Sequence, residues 1–160
     1  MNLIFRLFII GFLIPFSFVN LNAQDKEIGG GLTVISDYGY SMVGFNARYY
    51  HYLNEEFRLV PSVDLAFGDV NAFVLGGGVN FLPEFVDFDD FRFYVAAKLD
   101  FTHLWGNGAS ESGIGVDLDF LGFEYQLDNM KIFGESGLRF GTPTGYDPWI
   151  TRIGVTFTLD

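Results

Sequence analysis

The residue types that most often act as catalytic bases or nucleophiles, histidine and cysteine, are scarce in this sequence of 160 residues. The chain has two histidines, His51 and His103, and no cysteine. His103 is followed by Ser110, Glu111 and Ser112, a base with two hydroxyls and an acid nearby. Such a set could form a hydrolytic triad, in which the histidine accepts the serine proton and the acid orients the histidine. No Gly-x-Ser-x-Gly turn surrounds either serine, and the expectation is that the chain is not an enzyme.

Two other patterns suggest ligands at first sight. The acidic segment 84–90 offers carboxylate oxygens, which calcium prefers, but lacks the spacing and the glycine of an EF-hand loop. The glycine runs 29–31 and 76–78 lack the lysine and the helix of a phosphate-binding loop. The sequence therefore predicts no cofactor and no metal site, and we interpret the acidic segment as a solvated turn.

The N-terminal residues predict a secretory signal peptide that is cleaved after residue 23. Arg6 gives the first residues a positive charge, and segment 7–19 is almost entirely apolar but too short for a membrane-spanning helix, which needs about 20 residues. The predicted organisation is a signal peptide over 1–23 and a single domain over 24–160.

The composition of that domain is acidic and rich in apolar residues. The whole chain has a net charge of −11, with 9 basic and 20 acidic residues, so nucleic acid is not expected as a partner. Hydrophobic residues make up 49% and aromatic residues 19% of the chain. After residue 23 no apolar run is long enough to form a spanning helix, which indicates that apolar residues alternate with others.

The alternation has a period of two, which is typical of strands with two different faces. In segment 91–102, FRFYVAAKLDFT, bulky apolar residues occupy one face, and small or charged residues occupy most of the other. Segments rich in turn-forming residues divide the domain into eight strands of membrane-spanning length. The predicted strands are 27–36, 42–53, 56–67, 72–82, 91–105, 113–127, 130–141 and 149–159.

Eight strands joined by short connections predict an all-β fold, an antiparallel up-and-down β-barrel that closes on itself. The interior of such a barrel is only wide enough for side chains or one small ligand. Because Phe45, Leu75, Leu99 and their neighbours are too bulky for that space, the apolar face is predicted to point outward, toward lipid. A β-bulge at Phe120–Leu121 would keep the seventh predicted strand in phase.

The charges support the same orientation, because every Lys and Arg after Lys26 falls on the small-residue face. The predicted lumen charges are Arg48, Arg58, Arg92, Lys98, Lys131, Arg139 and Arg152 together with Asp64, Asp100, Asp117, Asp119, Glu124 and Glu135, of which Glu124 requires the bulge. Near mid-membrane, an Arg or Lys facing lipid costs about 2–4 kcal/mol, whereas charges in the lumen can pair. The sequence thus predicts a lumen plugged by ion pairs.

The last strand carries the most specific pattern. Residues 152–159, RIGVTFTL, place Gly154, Phe157 and Leu159 in the order polar-x-Gly-x-x-aromatic-x-hydrophobic. This pattern resembles the C-terminal assembly signal of small outer-membrane β-barrels of the OmpA transmembrane-domain and OmpX type, although the chain ends in Asp160 rather than in Phe.

The resemblance implies a place in the outer membrane and recognition by the barrel-assembly machinery. Outer-membrane lipid and lipopolysaccharide are the implied partners. It also implies that both termini lie in the periplasm, with the connections 37–41, 68–71, 106–112 and 142–148 outside.

Three functions remain open from the sequence. The favoured one is a structural or surface-interaction barrel. The alternatives are a narrow channel or transporter for small solutes, and a lipid-modifying enzyme built around His103 that would be similar to lipid A deacylases.

Overall fold

A computed structural model describes residues 26–37, 39–83, 87–88, 90–142 and 147–159 of the chain. The predicted signal peptide, residues 1–23, lies outside the described residues. Within them, no helix is long and apolar enough to cross a membrane. The elements found there are all strands: β1 (Lys26–Asp37), β2 (Tyr40–Tyr52), β3 (Phe57–Gly68), β4 (Asn71–Phe81), β5 (Asp87–Phe88), β6 (Phe91–Gly106), β7 (Ala109–Leu127), β8 (Met130–Gly141) and β9 (Trp149–Leu159).

The strands form one antiparallel sheet that closes on itself. Consecutive strands pair with one another except β4 and β5. β4 pairs with β6 instead, and β1 pairs with β9 from Lys26 opposite Leu159 to Ser36 opposite Trp149. The two-residue β5 adds only to the beginning of β6, within a stretch that the sequence predicts as a connection. The barrel itself therefore has eight strands, and the predicted up-and-down fold is confirmed.

The two ends of the barrel contain different connections. The hairpin end holds the connections β1–β2, β3–β4, β6–β7 and β8–β9. The terminal end holds the connections β2–β3, β4–β6 and β7–β8 together with the ends of β1 and β9 that lie nearest the chain termini.

The two faces of the strands are arranged as the alternation predicts. Phe45, Leu75 and Leu99 are 66%, 54% and 53% exposed, respectively, on the outside of the barrel. Residues of the opposite parity, such as Arg58 and Asp64, are buried inside. Apolar side chains therefore cover the outer surface, where lipid tails can surround them.

The predicted bulge is present in β7. Asp119 lies opposite Gly137 and Leu121 opposite Ser136, so Phe120 has no partner of its own on β8. Phe120 and Leu121 are each 52% exposed, so two successive apolar side chains both lie on the outer surface. The extra residue reverses the phase of the rest of the strand, which directs Glu124 inward as predicted.

The β6–β7 hairpin is longer than the sequence predicts. Segment 106–112 was expected to be a connection, but β6 continues to Gly106 and β7 begins at Ala109. Asn107 and Gly108 have φ angles of 49° and 79°, the positive values that a two-residue type I′ turn requires at both positions. Because the turn is only two residues long, the pairing of β6 with β7 continues beyond the ends of β4 and β8. The prediction of a connection over 106–112 is therefore wrong.

Candidate functional site in the barrel lumen

The inner surface of the barrel holds nearly all of the predicted lumen charges in buried positions. The relative exposure of eleven of them is 4% or less: Arg48, Arg58, Asp64, Lys98, Asp100, Asp117, Asp119, Glu124, Glu135, Arg139 and Arg152. Arg92 differs, because it is half-buried at the terminal end, opposite Glu124. These groups lie on six strands, and closure of the sheet brings them together.

Glu135 is at the centre of this network. Its carboxylate accepts hydrogen bonds from both terminal nitrogens of Arg48, at 2.9 and 3.0 Å, and from Nζ of Lys98 at 2.6 Å. Arg152 and the Tyr94 hydroxyl donate to the same carboxylate at 3.1 and 3.0 Å. One buried carboxylate therefore neutralises charge from three basic side chains on three different strands.

Arg152 forms a second centre, toward the hairpin end. Its Nε and Nη2 donate to the two carboxylate oxygens of Asp64 at 3.0 and 3.1 Å, a bidentate geometry that suits arginine. Nη2 also donates to Asp117 at 2.9 Å, and Nη1 lies 3.6 Å from Asp119. The two centres are joined directly, because Arg152 also contacts Glu135.

Arg139 connects the lumen to the connection at the hairpin end. Its Nε donates to Asp100 at 2.9 Å, while Nη2 donates to the carbonyl oxygen of Thr142 at 3.0 Å. The guanidinium lies directly over Gly115, where an added Cβ would be 2.5 Å from Cζ of Arg139. Gly115 thus leaves the space that this arginine occupies, which explains one of the small residues on the inner face.

Aromatic rings lie close to Arg58, in the half of the barrel toward the terminal end. Arg58 pairs with Glu124 at 2.5 Å, and its guanidinium lies 4.2 and 4.8 Å from the ring centres of Tyr50 and Tyr94. Such contacts attract a cation to the face of a ring, most strongly when both are removed from water. Arg58, Tyr50 and Tyr94 therefore pack together inside the barrel.

The sequence prediction missed Glu27, which is 2% exposed and belongs to the same network. Lys131 Nζ donates to Glu27 at 2.5 Å, and the hydroxyls of Tyr52 and Thr156 donate at 3.1 and 3.3 Å. Glu27 has the same parity as Gly29 and Gly31, small residues of this strand, so the alternation could have identified it. With Glu27 included, the described lumen contains seven basic and seven acidic side chains.

A buried apolar cluster lies inside the barrel toward the hairpin end and was also not predicted. Its members are fully or almost fully buried: Ile35, Met42, Ala66, Ala72, Val74 and Ile150. Leu104 packs against them from the β6–β7 hairpin. The inner face therefore carries apolar side chains near this end and charged side chains further in.

The structure brings together only some of the residues of the hypothetical triad, for which Ser110 and Ser112 are alternative serines. Nδ1 of His103 lies 2.8 Å from Oγ of Ser112, its cross-strand neighbour on β7. Glu111 pairs with Leu104 and lies on the opposite face of the hairpin, so it cannot orient His103. Ser110 lies opposite Trp105, one pair beyond. The structure thus forms a histidine–serine pair without an acid.

The three residues of the predicted assembly signal lie on β9. Gly154 lies opposite Gly31 on the seam that closes the barrel. Phe157 and Leu159 are each 45% exposed on the outer surface near the terminal end. In the part of the chain that the structure describes, no group of three or more His, Cys, Asp or Glu side chains could hold a metal ion.

Comparisons with known proteins agree with this architecture. The N-terminal β-barrel domain of Pseudomonas aeruginosa OprF superposes with a TM-score of 0.60 at 14% identity, covering 85% of this chain and 100% of that chain. Neisserial surface protein A gives 0.60 at 14% identity, covering 84% and 96%. Ail, the attachment invasion locus protein of Yersinia pestis, gives 0.52 at 15% identity, covering 84% and 97%.

The fold is that of the small outer-membrane β-barrels. A scan against protein-family models gave no match, and neither did a search for similar sequences among curated proteins. At these identities the likeness extends to the fold and not to particular side chains. The outer-membrane barrels and this chain share the closed eight-stranded sheet, with an apolar surface that faces outward here.

Proposed function

We propose that the chain is an integral outer-membrane barrel whose lumen is closed, and that it acts through its surface and rims rather than as a pore or an enzyme. The observation that carries this proposal is the buried charge network. Seven basic and seven acidic side chains occupy the interior of an eight-stranded barrel, where little space remains once side chains are present.

The arrangement of the network supports a structural role. Moving a solute through the lumen would require contacts of Glu135 and Arg152 to break, and each of these side chains holds several partners at once. The apolar cluster around Ile35 and Met42 would also have to part. Separating a buried ion pair leaves uncompensated charge, which opposes such opening.

A solute-flux assay tests the closed lumen. Liposomes that contain the refolded barrel are expected to remain as impermeable to arabinose as protein-free liposomes, because the lumen has no continuous aqueous path. Liposomes with a 16-stranded porin serve as the positive control, since such barrels enclose a channel. Swelling that increases with the amount of folded barrel, but not with heat-denatured barrel, would show a channel and contradict the proposal.

The proposed orientation places the hairpin end outside the cell and the terminal end in the periplasm. Because the chain lacks cysteine, single cysteines can report it. Asp69→Cys, exposed in the β3–β4 connection, is expected to react with a membrane-impermeant maleimide on intact cells. Glu55→Cys, exposed in the β2–β3 connection, is expected to react only after the outer membrane is permeabilised. The reverse labelling pattern would overturn this orientation.

The proposed partners follow from the surface. Outer-membrane lipid would contact the apolar band, and lipopolysaccharide would surround the hairpin end. The barrel-assembly machinery would recognise β9, where Phe157 and Leu159 present apolar side chains outward beside the seam.

A further inference from the structure

The outward face of the β6–β7 hairpin carries a compact group of aromatic and hydroxyl side chains. His103 lies opposite Ser112 and Trp105 lies opposite Ser110, so that two successive cross-strand pairs share one face. The rings of His103 and Trp105 are nearly parallel, with an interplanar angle of 17° and ring centres 5.6 Å apart. We call these four residues the hairpin platform.

Three polar atoms of the hairpin platform make no hydrogen bond within the described ranges. Nδ1 of His103 contacts the hydroxyl of Ser112. Among the described residues, Nε2 of His103, the indole Nε1 of Trp105 and Oγ of Ser110 make no hydrogen bond. Both serines are exposed, so these donors and acceptors are available to a ligand that lies against the rings.

Trp149 provides an internal contrast, because the chain has only two tryptophans. The indole Nε1 of Trp149 donates to Ser136 at 2.7 Å and approaches Thr151 at 3.2 Å. Its polar atom is therefore occupied within the protein, as expected for an aromatic side chain that only anchors the barrel in the membrane interface. The Trp105 indole differs, because its ring is stacked and its N–H has no hydrogen-bond partner in the part of the chain that the structure describes.

The position of the hairpin platform determines what can reach it. The next pair toward the barrel on the same face is Phe101 with Ile114, which are 38% and 45% exposed and belong to the apolar band. Successive pairs on one face are about 7 Å apart along a strand. A molecule bound to the hairpin platform is therefore adjacent to the lipid that covers Phe101, in the layer just above the membrane.

The charges at the hairpin end exclude phosphate recognition. The connections 37–41, 68–71, 106–112 and 142–148 contain no Lys or Arg but include four acids, Asp37, Asp69, Glu111 and Asp147. Phosphates are bound by basic side chains, which are missing here. The hairpin platform itself carries no carboxylate, since Glu111 lies on the opposite face of the hairpin.

From these observations we propose that the hairpin platform binds the uncharged sugars of a glycolipid in the outer leaflet. The flat rings of His103 and Trp105 can stack against the C–H face of a pyranose, while the indole N–H, the imidazole and the serine hydroxyls can pair with sugar hydroxyls. This inference rests on the proposed orientation, which brings the hairpin end to the cell exterior.

The test uses the indole N–H signals of the two tryptophans by NMR, in nanodiscs of stated composition. With Trp149→Phe assigning the two peaks, the Trp105 peak is expected to shift when the nanodisc contains monoglucosyl diacylglycerol, whose headgroup is one uncharged pyranose. It is expected not to shift with phosphatidylglycerol, whose headgroup has a phosphate but no sugar. The Trp149 peak is expected to stay in place in both. Ser110→Ala and His103→Ala are expected to lose most of the Trp105 shift, whereas Glu111→Gln keeps it.

Each other outcome has a defined meaning. An equal Trp105 shift with phosphatidylglycerol, or no shift with either lipid, overturns the sugar site and leaves Trp105 as an interfacial anchor. The Asp69→Cys labelling distinguishes this result from a failure of the proposed function. Labelling at Asp69 from outside without a sugar-dependent shift overturns only the hairpin platform, whereas labelling from the periplasm overturns the orientation on which it rests.

Discussion

Replacing Glu135 by glutamine is expected to lower the free energy of unfolding of the barrel by about 3–5 kcal/mol, as when one partner of a buried ion pair is removed. The substitution leaves Arg48, Lys98 and Arg152 without the carboxylate that they share, while all three remain inside the closed barrel. Urea titration of the refolded protein in phospholipid vesicles, followed by tryptophan fluorescence, measures the change.

Two variants serve as controls for Glu135→Gln. Glu111→Gln removes an exposed carboxylate and is expected to change stability by less than about 0.5 kcal/mol. The double variant Glu135→Gln with Lys98→Gln is expected to lose less than the sum of the two single losses, because each single change already removes the Lys98–Glu135 ion pair. A loss below about 1 kcal/mol for Glu135→Gln would mean that the network adds little to stability.

Replacing Leu99 by arginine is expected to destabilise the barrel in a bilayer by about 2–4 kcal/mol. Leu99 lies near the middle of β6 and is 53% exposed on the outer surface. The new charge would therefore meet lipid tails near mid-membrane, with no acid on the same face to pair with it. The same vesicle-based urea titration gives the difference in unfolding free energy.

The matched control is an arginine on the outer surface at a membrane edge. Ser41→Arg, exposed at the beginning of β2, is expected to cost about 0–1 kcal/mol because its charge can reach water. Leu99→Ala separates the effect of charge from the loss of apolar contact. If Leu99→Arg proved as stable as Ser41→Arg, the apolar face would not be in lipid.

The alternation of residue types predicted most of this fold, because the period of two determines the face on which each side chain lies. Arg58, Asp64 and Arg152 were assigned to the lumen from their parity alone, and all three are buried there. Even Glu124 followed, once two adjacent apolar residues indicated a bulge. Odd and even positions of a strand lie on opposite faces of the sheet, and here the outer face must be apolar while the inner face accommodates the charges. The position of a residue in the alternation therefore determines its face.

Parity does not specify which base meets which acid. Arg48 and Glu135 are 87 residues apart along the chain, and Arg152 and Asp64 are 88 apart, so their contacts depend on strand register and closure of the barrel. The length of the β6–β7 hairpin was missed for a different reason. Asn107 and Gly108 indicate a tight turn, but the polar residues after them were interpreted as a loop.

Arg152 also has a consequence for the order of folding, because it is supplied by β9, the last strand. Its partners Asp64 and Asp117 come from β3 and β7. Until β9 docks, these carboxylates face a common interior without the guanidinium that separates and neutralises them. Pairing of β9 with β1 and β8 therefore joins the edges of the sheet and also places the guanidinium between these carboxylates, so formation of these ion pairs is expected to be coupled to closure of the barrel.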